Sequence, residues 1–179
     1  MSDSKRGNFI GSFIAVCLLC ILTIAVWTDI RTGKISNRLI GLGLLTGYIH
    51  NLMLYSWKGS IYFLIQISIP VLIFYLLFLV RALGAGDIKL FSVICSCIGL
   101  KGFGKVAIYS FLVGSVFSFL VLLRNRNLYG RMTYLFYYIK TTLLTKSISK
   151  YDYQSDGKQN YIHFSLSVFI AYLMFLGGI

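Results

Sequence analysis

Leu83-Gly84-Ala85-Gly86-Asp87-Ile88-Lys89 is the stretch from which the rest of the chain can be read. It follows a long uncharged run and sets a carboxylate against sequence suited to a membrane interior. The chain has five acidic residues, all aspartate: Asp3, Asp29, Asp87, Asp152 and Asp156. Asp29 and Asp87 stand at the ends of apolar runs. An ionisable group at or in a bilayer is costly, and by default it marks a functional site. Gly84 and Gly86 permit unusual dihedrals and the close approach of another backbone. Taken locally, the stretch fits a plain link with Asp87 as a helix cap equally well. The second aspartate at an equivalent place makes a pair the sharper reading.

Composition sets the class. A length of 179 residues allows one domain. Hydrophobic residues make up 58% and charged residues 12%, against about a quarter charged in soluble domains. Such a chain is all-α and crosses the membrane several times. The net charge of +12 comes from bases placed between apolar runs, which reads as topology and contact with anionic lipid, not with nucleic acid. Cys17 and Cys20 form a CxxC, and Cys95 and Cys97 a CxC, each inside an apolar run. A zinc site needs four ligands and a polar second shell. The cysteines are read as small packing residues, with no metal, cofactor or disulfide.

The apolar runs predict six transmembrane helices near residues 7–28, 39–57, 59–80, 88–100, 106–123 and 162–178. Lys5 and Arg6 precede the first, which is read as an uncleaved helix. His50 and Asn51 fall near the far end of the second and are expected at the interface. Pro70 is the only proline and is expected to kink the third. The fourth is short, so its helix either begins within the membrane or tilts. Asp87 then lies near the boundary, facing protein or water. Lys101 and Lys105 mark the next turn. The segment 124–161 holds seven of the seventeen bases. Within it Met132, Leu135, Phe136, Ile139 and Leu143 recur at helical spacing, predicting an amphipathic surface helix over 131–146. Twelve bases lie in the first, third and fifth loops and five elsewhere. The excess puts those loops, with Asp29 and Asp87, in the cytoplasm.

Two aspartates held close cannot both ionise easily, so they share a proton. The ionised one can take a proton from water while the other donates to a carbonyl oxygen, which cleaves an amide without metal or covalent intermediate. The sequence offers no Ser/His or Cys/His arrangement in polar surroundings to compete. His163 stands alone at the start of the last run.

Gly84-Ala85-Gly86-Asp87-Ile88-Lys89 fits the GxGDxK pattern and resembles the type IV prepilin peptidases, which are GxGD membrane aspartic proteases. Asp29-Ile30-Arg31 through Ile35-Ser36-Asn37-Arg38 is similar to that family's first aspartate motif, a D-x-R … I-P-N run just after a transmembrane helix. The family's peptidase region has six spans, and the resemblance covers essentially the whole chain. It implies an aspartic endopeptidase of the plasma membrane that cuts a basic leader from prepilin-like proteins at the cytoplasmic face. Asp29 and Asp87 would be catalytic. Gly84, Gly86 and Lys89 would form the active-site loop, and Arg31 and Asn37 would make substrate or motif contacts. Ser36 stands where the family usually has proline. The cysteine-bearing extension of bifunctional members is missing, so a short peptidase-only form without methyl transfer is expected. Two other readings stay open. A non-catalytic pilus or secretion assembly component would show no cleavage. A small proton- or cation-coupled carrier would carry its acids near mid-membrane.

Overall fold

The computed structural model describes the backbone of residues 3–80, 82–124 and 164–178. The amphipathic stretch 131–146, the rest of the basic segment and His163 lie outside the described residues. The chain divides into two compact units, Met1–Val113 with His163–Ile179 and Gly114–Ile162. Of the second, the described part is helical, residues 114–124.

Five helices make up the described structure: α1 (Asp3–Thr32), α2 (Asn37–Tyr55), α3 (Lys58–Leu79), α4 (Ala85–Arg124) and α5 (Phe164–Leu176). The fold is all-α, with no strand among the described residues. Three helices are long and apolar enough to cross a membrane: Gly11–Thr32, Lys58–Leu79 and Ala85–Val121. The helix α3 shows why water is the wrong solvent for this chain. Its buried residues are Gly59, Pro70 and Phe74, while Leu72 and Leu76 are more than 70% exposed. An apolar face of that size is stable against lipid, not water. The chain is a membrane protein. Pro70 sits inside α3, and the helix continues through it.

The helix α4 has 40 residues, which if straight would run about 60 Å, twice the thickness of the hydrocarbon layer. It breaks instead at Gly99, where φ is 73° and ψ is 174°. A left-handed φ suits glycine because it carries no Cβ. The sequence placed the turn at Lys101 and Lys105. Both are helical in the structure, because backbone freedom at Gly99, not charge, makes the break.

The first limb of α4, residues 85–98, is the central element. Every residue from 90 to 97 is buried. A helix apolar all round belongs inside a bundle. Its neighbours reach it closely. A Cβ on Gly43 would meet the Val93 side chain at 2.6 Å, and one on Gly47 would meet Ser96. This Gly-x-x-x-Gly spacing on α2 lets two helices approach, as small residues do in membranes. Phe91 packs against Phe74 of α3 with tilted rings, 4.9 Å between centroids, and meets Phe164 of α5 edge-on at 6.0 Å.

Asn51 corrects the interfacial expectation. It is 2% exposed and donates to the carbonyls of Gly47 (2.9 Å) and Ser96 (2.8 Å) and to Gln66 Oε1 (3.0 Å). The neighbouring His50 hydrogen-bonds the backbone carbonyl of Cys97. Carbonyls in the last turn before a helix break lose their helical partners. The end of α2 supplies donors to two of them, which pins the buried end of the limb.

Candidate active site

Asp29 lies in the last turn of α1. The helix stops at Gly33, which has φ 64° and donates its N–H to the Asp29 carbonyl at 2.8 Å. This is a left-handed glycine cap. Arg31 complements the negative end of the α1 dipole, whereas an ionised Asp29 opposes it. The Asp29 side chain is half-buried.

Asp87 enters from the opposite kind of helix end. The Gly84 carbonyl accepts the N–H groups of Asp87 (3.2 Å) and Ile88 (3.3 Å), which opens α4. The carboxylate of Asp87 folds back over Gly84. A Cβ there would lie 3.2 Å from Asp87 Oδ2, so glycine leaves room for the acid. A Cβ on Gly86 would meet the Ile35 side chain at an ordinary 3.5 Å. Asp87 precedes the apolar run that begins at Leu90, and it borders a cavity. Burial first, and the nearby charge of Asp29 second, push its carboxyl up to about 6, against a weaker pull from the Gly84 backbone N–H towards the ionised form.

Both carboxylates line one cavity of about 330 Å³ with Lys34, Asn37, Gly84, Gly86 and Lys89. Lys89 Nζ donates to Asn37 Oδ1 at 3.0 Å. Six of the seven residues singled out in the sequence therefore border the same space. Arg31 does not. It is exposed, and its guanidinium sits 4.4 Å over the Trp27 ring, one helical turn back. Asn37 and Lys89 also border a second, apolar groove of about 720 Å³ between α2, α3 and α4, lined by residues such as Ile40, Leu44, Ile67 and Val71.

Lys34 borders the cavity from the α1–α2 connection. One contributor escaped the sequence reading of the site. Ser165, near the start of α5, donates from Oγ to Asp29 Oδ2 at 2.6 Å. A serine in an apolar helix carries no sequence signal. The helices α1 and α5 run antiparallel, since Tyr172, further along α5, donates to the carbonyl of Ala15, earlier in α1, at 3.2 Å.

No curated protein and no solved structure matches this chain. The sequence pattern of the type IV leader peptidase family matches residues 16–123, a stretch that holds both cavity aspartates and the glycine turn before Asp87. A match over more than half the chain, carried by a helical bundle that brings these residues to one cavity, makes this chain a member of the type IV leader peptidase family.

Proposed function

We propose that the chain is a membrane aspartic endopeptidase that removes a basic leader from prepilin-like precursors, with Asp29 and Asp87 activating the attacking water. The observation that carries this reading is the meeting of two carboxylates from different helices in one cavity, one of them favoured in its protonated form. A water between them attacks the scissile carbonyl while the pair moves one proton each way. Lys34 and Lys89 keep the cavity positive enough for a carboxylate to stay ionised beside its partner. The apolar groove adjoining Asn37 and Lys89 offers a surface for the uncut apolar part of the substrate. Six membrane crossings, a plasma-membrane location and a cytoplasmic site complete the reading, supported by the distribution of bases.

The test uses the full chain in phospholipid vesicles with a synthetic precursor, a basic leader joined to an apolar helix. Asp29→Asn and Asp87→Asn should each reduce cleavage to background while inserting normally. Substantial cleavage by either variant would falsify the pair. A carrier would instead lose ion flux, and an assembly component would show no cleavage in the parent protein.

A further inference from the structure

The match to the family ends at residue 123, yet a residue far beyond it reaches the cavity aspartate. Ser165 is fully buried, and its hydroxyl donates to Asp29 Oδ2 across 136 residues of chain. A hydroxyl has one proton to give. Given to Oδ2, it makes that oxygen an acceptor, which suits the ionised carboxylate. Charge-assisted bonds of this kind are short, about 2.5–2.7 Å. Asp29 needs such help, because the last turn of α1 presents the negative end of its dipole. Asp87 stands at the start of its own helix.

We infer that Ser165 is a positioning residue that fixes Asp29 as the proton acceptor of the pair and leaves Asp87 as the proton donor. The inference rests on the aspartic peptidase reading above. In the forward step water gives a proton to Asp29, and its oxygen bonds to the carbonyl carbon. The carbonyl π pair moves to oxygen, which takes the proton of Asp87. In the second step Asp29 returns its proton to the amide nitrogen and the C–N bond breaks. The diol then gives a proton back to Asp87, and the starting protonation is restored. Burial and the adjacent negative charge favour the protonated form of Asp87 before the cycle begins, consistent with this division.

Among the described residues, the charged groups that line the cavity with Asp29 are Asp87 and Lys89 from α4 and Lys34 from the α1–α2 connection. The described part of α5 carries no charged residue, so its contribution is the serine hydroxyl. Asp29 must be ionised to accept a proton, so it governs the acidic limb of the rate profile. Removing a donor that favours the ionised form moves that limb to higher pH.

Ser165→Ala, in the same vesicles with the same synthetic precursor, should lower kcat about tenfold or more, the size expected for losing a hydrogen bond to a charged group. KM should hold, and the acidic limb should move to higher pH. Ser165→Thr keeps the hydroxyl and should restore both kcat and limb. Ser167→Ala is the packing control, since Ser167 Oγ is buried with no hydrogen-bond partner, and it should match the parent. A Ser165→Ala enzyme with the parent kcat and acidic limb overturns the inference. So does an equal loss in the Ala and Thr variants with the limb unmoved, which would be packing alone. If Asp29→Asn and Asp87→Asn abolish cleavage while Ser165→Ala does not, only the serine role fails. If either Asn variant still cleaves, the underlying reading fails first.

Discussion

Lys89 Nζ donates to Asn37 Oδ1 at 3.0 Å, tying the start of α4 to the first residue of α2. The bond joins two residues that both border the aspartate cavity, 52 residues apart in sequence. Because it is exposed, it should contribute little to stability, by analogy with surface pairs of about 1 kcal/mol or less. Its effect should appear in turnover. Lys89→Met and Asn37→Ala should each lower kcat/KM about tenfold through displaced geometry. The double variant should be no worse than the poorer single one, because the two act as a unit. Steady-state cleavage in a double-mutant cycle checks this, and additive losses would mean independent roles.

Asp87 makes activity and stability depend on pH in a defined window. Its carboxyl is raised from 3.8 to about 6, so the folded protein holds a proton there that the unfolded chain has released. Stability is therefore greatest below about 4 for this group and is lost as pH rises through about 6. Asp87→Asn removes that loss, so its unfolding temperature relative to the parent should rise between pH 4 and 7. For catalysis the same proton must be donated. The kcat/KM profile of the free enzyme should be bell-shaped, with its descending limb starting near 6. That limb belongs to the coupled pair as a whole. A rate still rising in alkaline solution would point to hydroxide or another base.

The polar knot around Asn51 should matter for stability. Asn51→Leu leaves the Ser96 carbonyl and the Gln66 amide oxygen without this donor and should cost about 1–3 kcal/mol. Gly99→Ala meets no steric neighbour within 4 Å, but it forces a side chain onto a left-handed backbone, at about 1 kcal/mol or more. Thermal unfolding in micelles measures both. Losses well below these values would show that the limb end is held by packing.

Ser36 precedes α2 as its N-cap, with φ −66° and ψ 128°, and makes no side-chain capping bond. That φ is the one a proline ring imposes. Ser36→Pro should therefore raise stability by about 0.4–1 kcal/mol through the unfolded chain. A higher unfolding temperature with unchanged cleavage is the expected result. A lower one would mean that Ile35 cannot adopt the extended backbone a following proline demands.

What could be read from the sequence follows from how loudly each residue speaks against an apolar background. Asp29 and Asp87 stand out because acids are scarce, and the glycines before Asp87 complete a recognisable turn. The structure puts both acids on one cavity. Asn51 misled because a polar residue near the end of an apolar run looks interfacial. Its burial depends on carbonyls of another helix, freed by a break that only Gly99 makes. Arg31 was grouped with Asp29 through the D-x-R motif, and helical spacing sets its guanidinium over Trp27 one turn back. Ser165 carried no pattern of its own, since its meaning comes from a partner 136 residues away.

That separation bears on how the protein is made. The chain emerges from the ribosome in order, so α1, α2 and the start of α4 can assemble while α5 is still unsynthesised. Until Ser165 arrives, Asp29 sits at the negative end of α1 without this donor. The pair's division of labour would therefore be completed by one of the later segments to enter the membrane. A half-made chain would hold the two acids without the hydroxyl that tells them apart, and so would be poorly armed against proteins being inserted beside it.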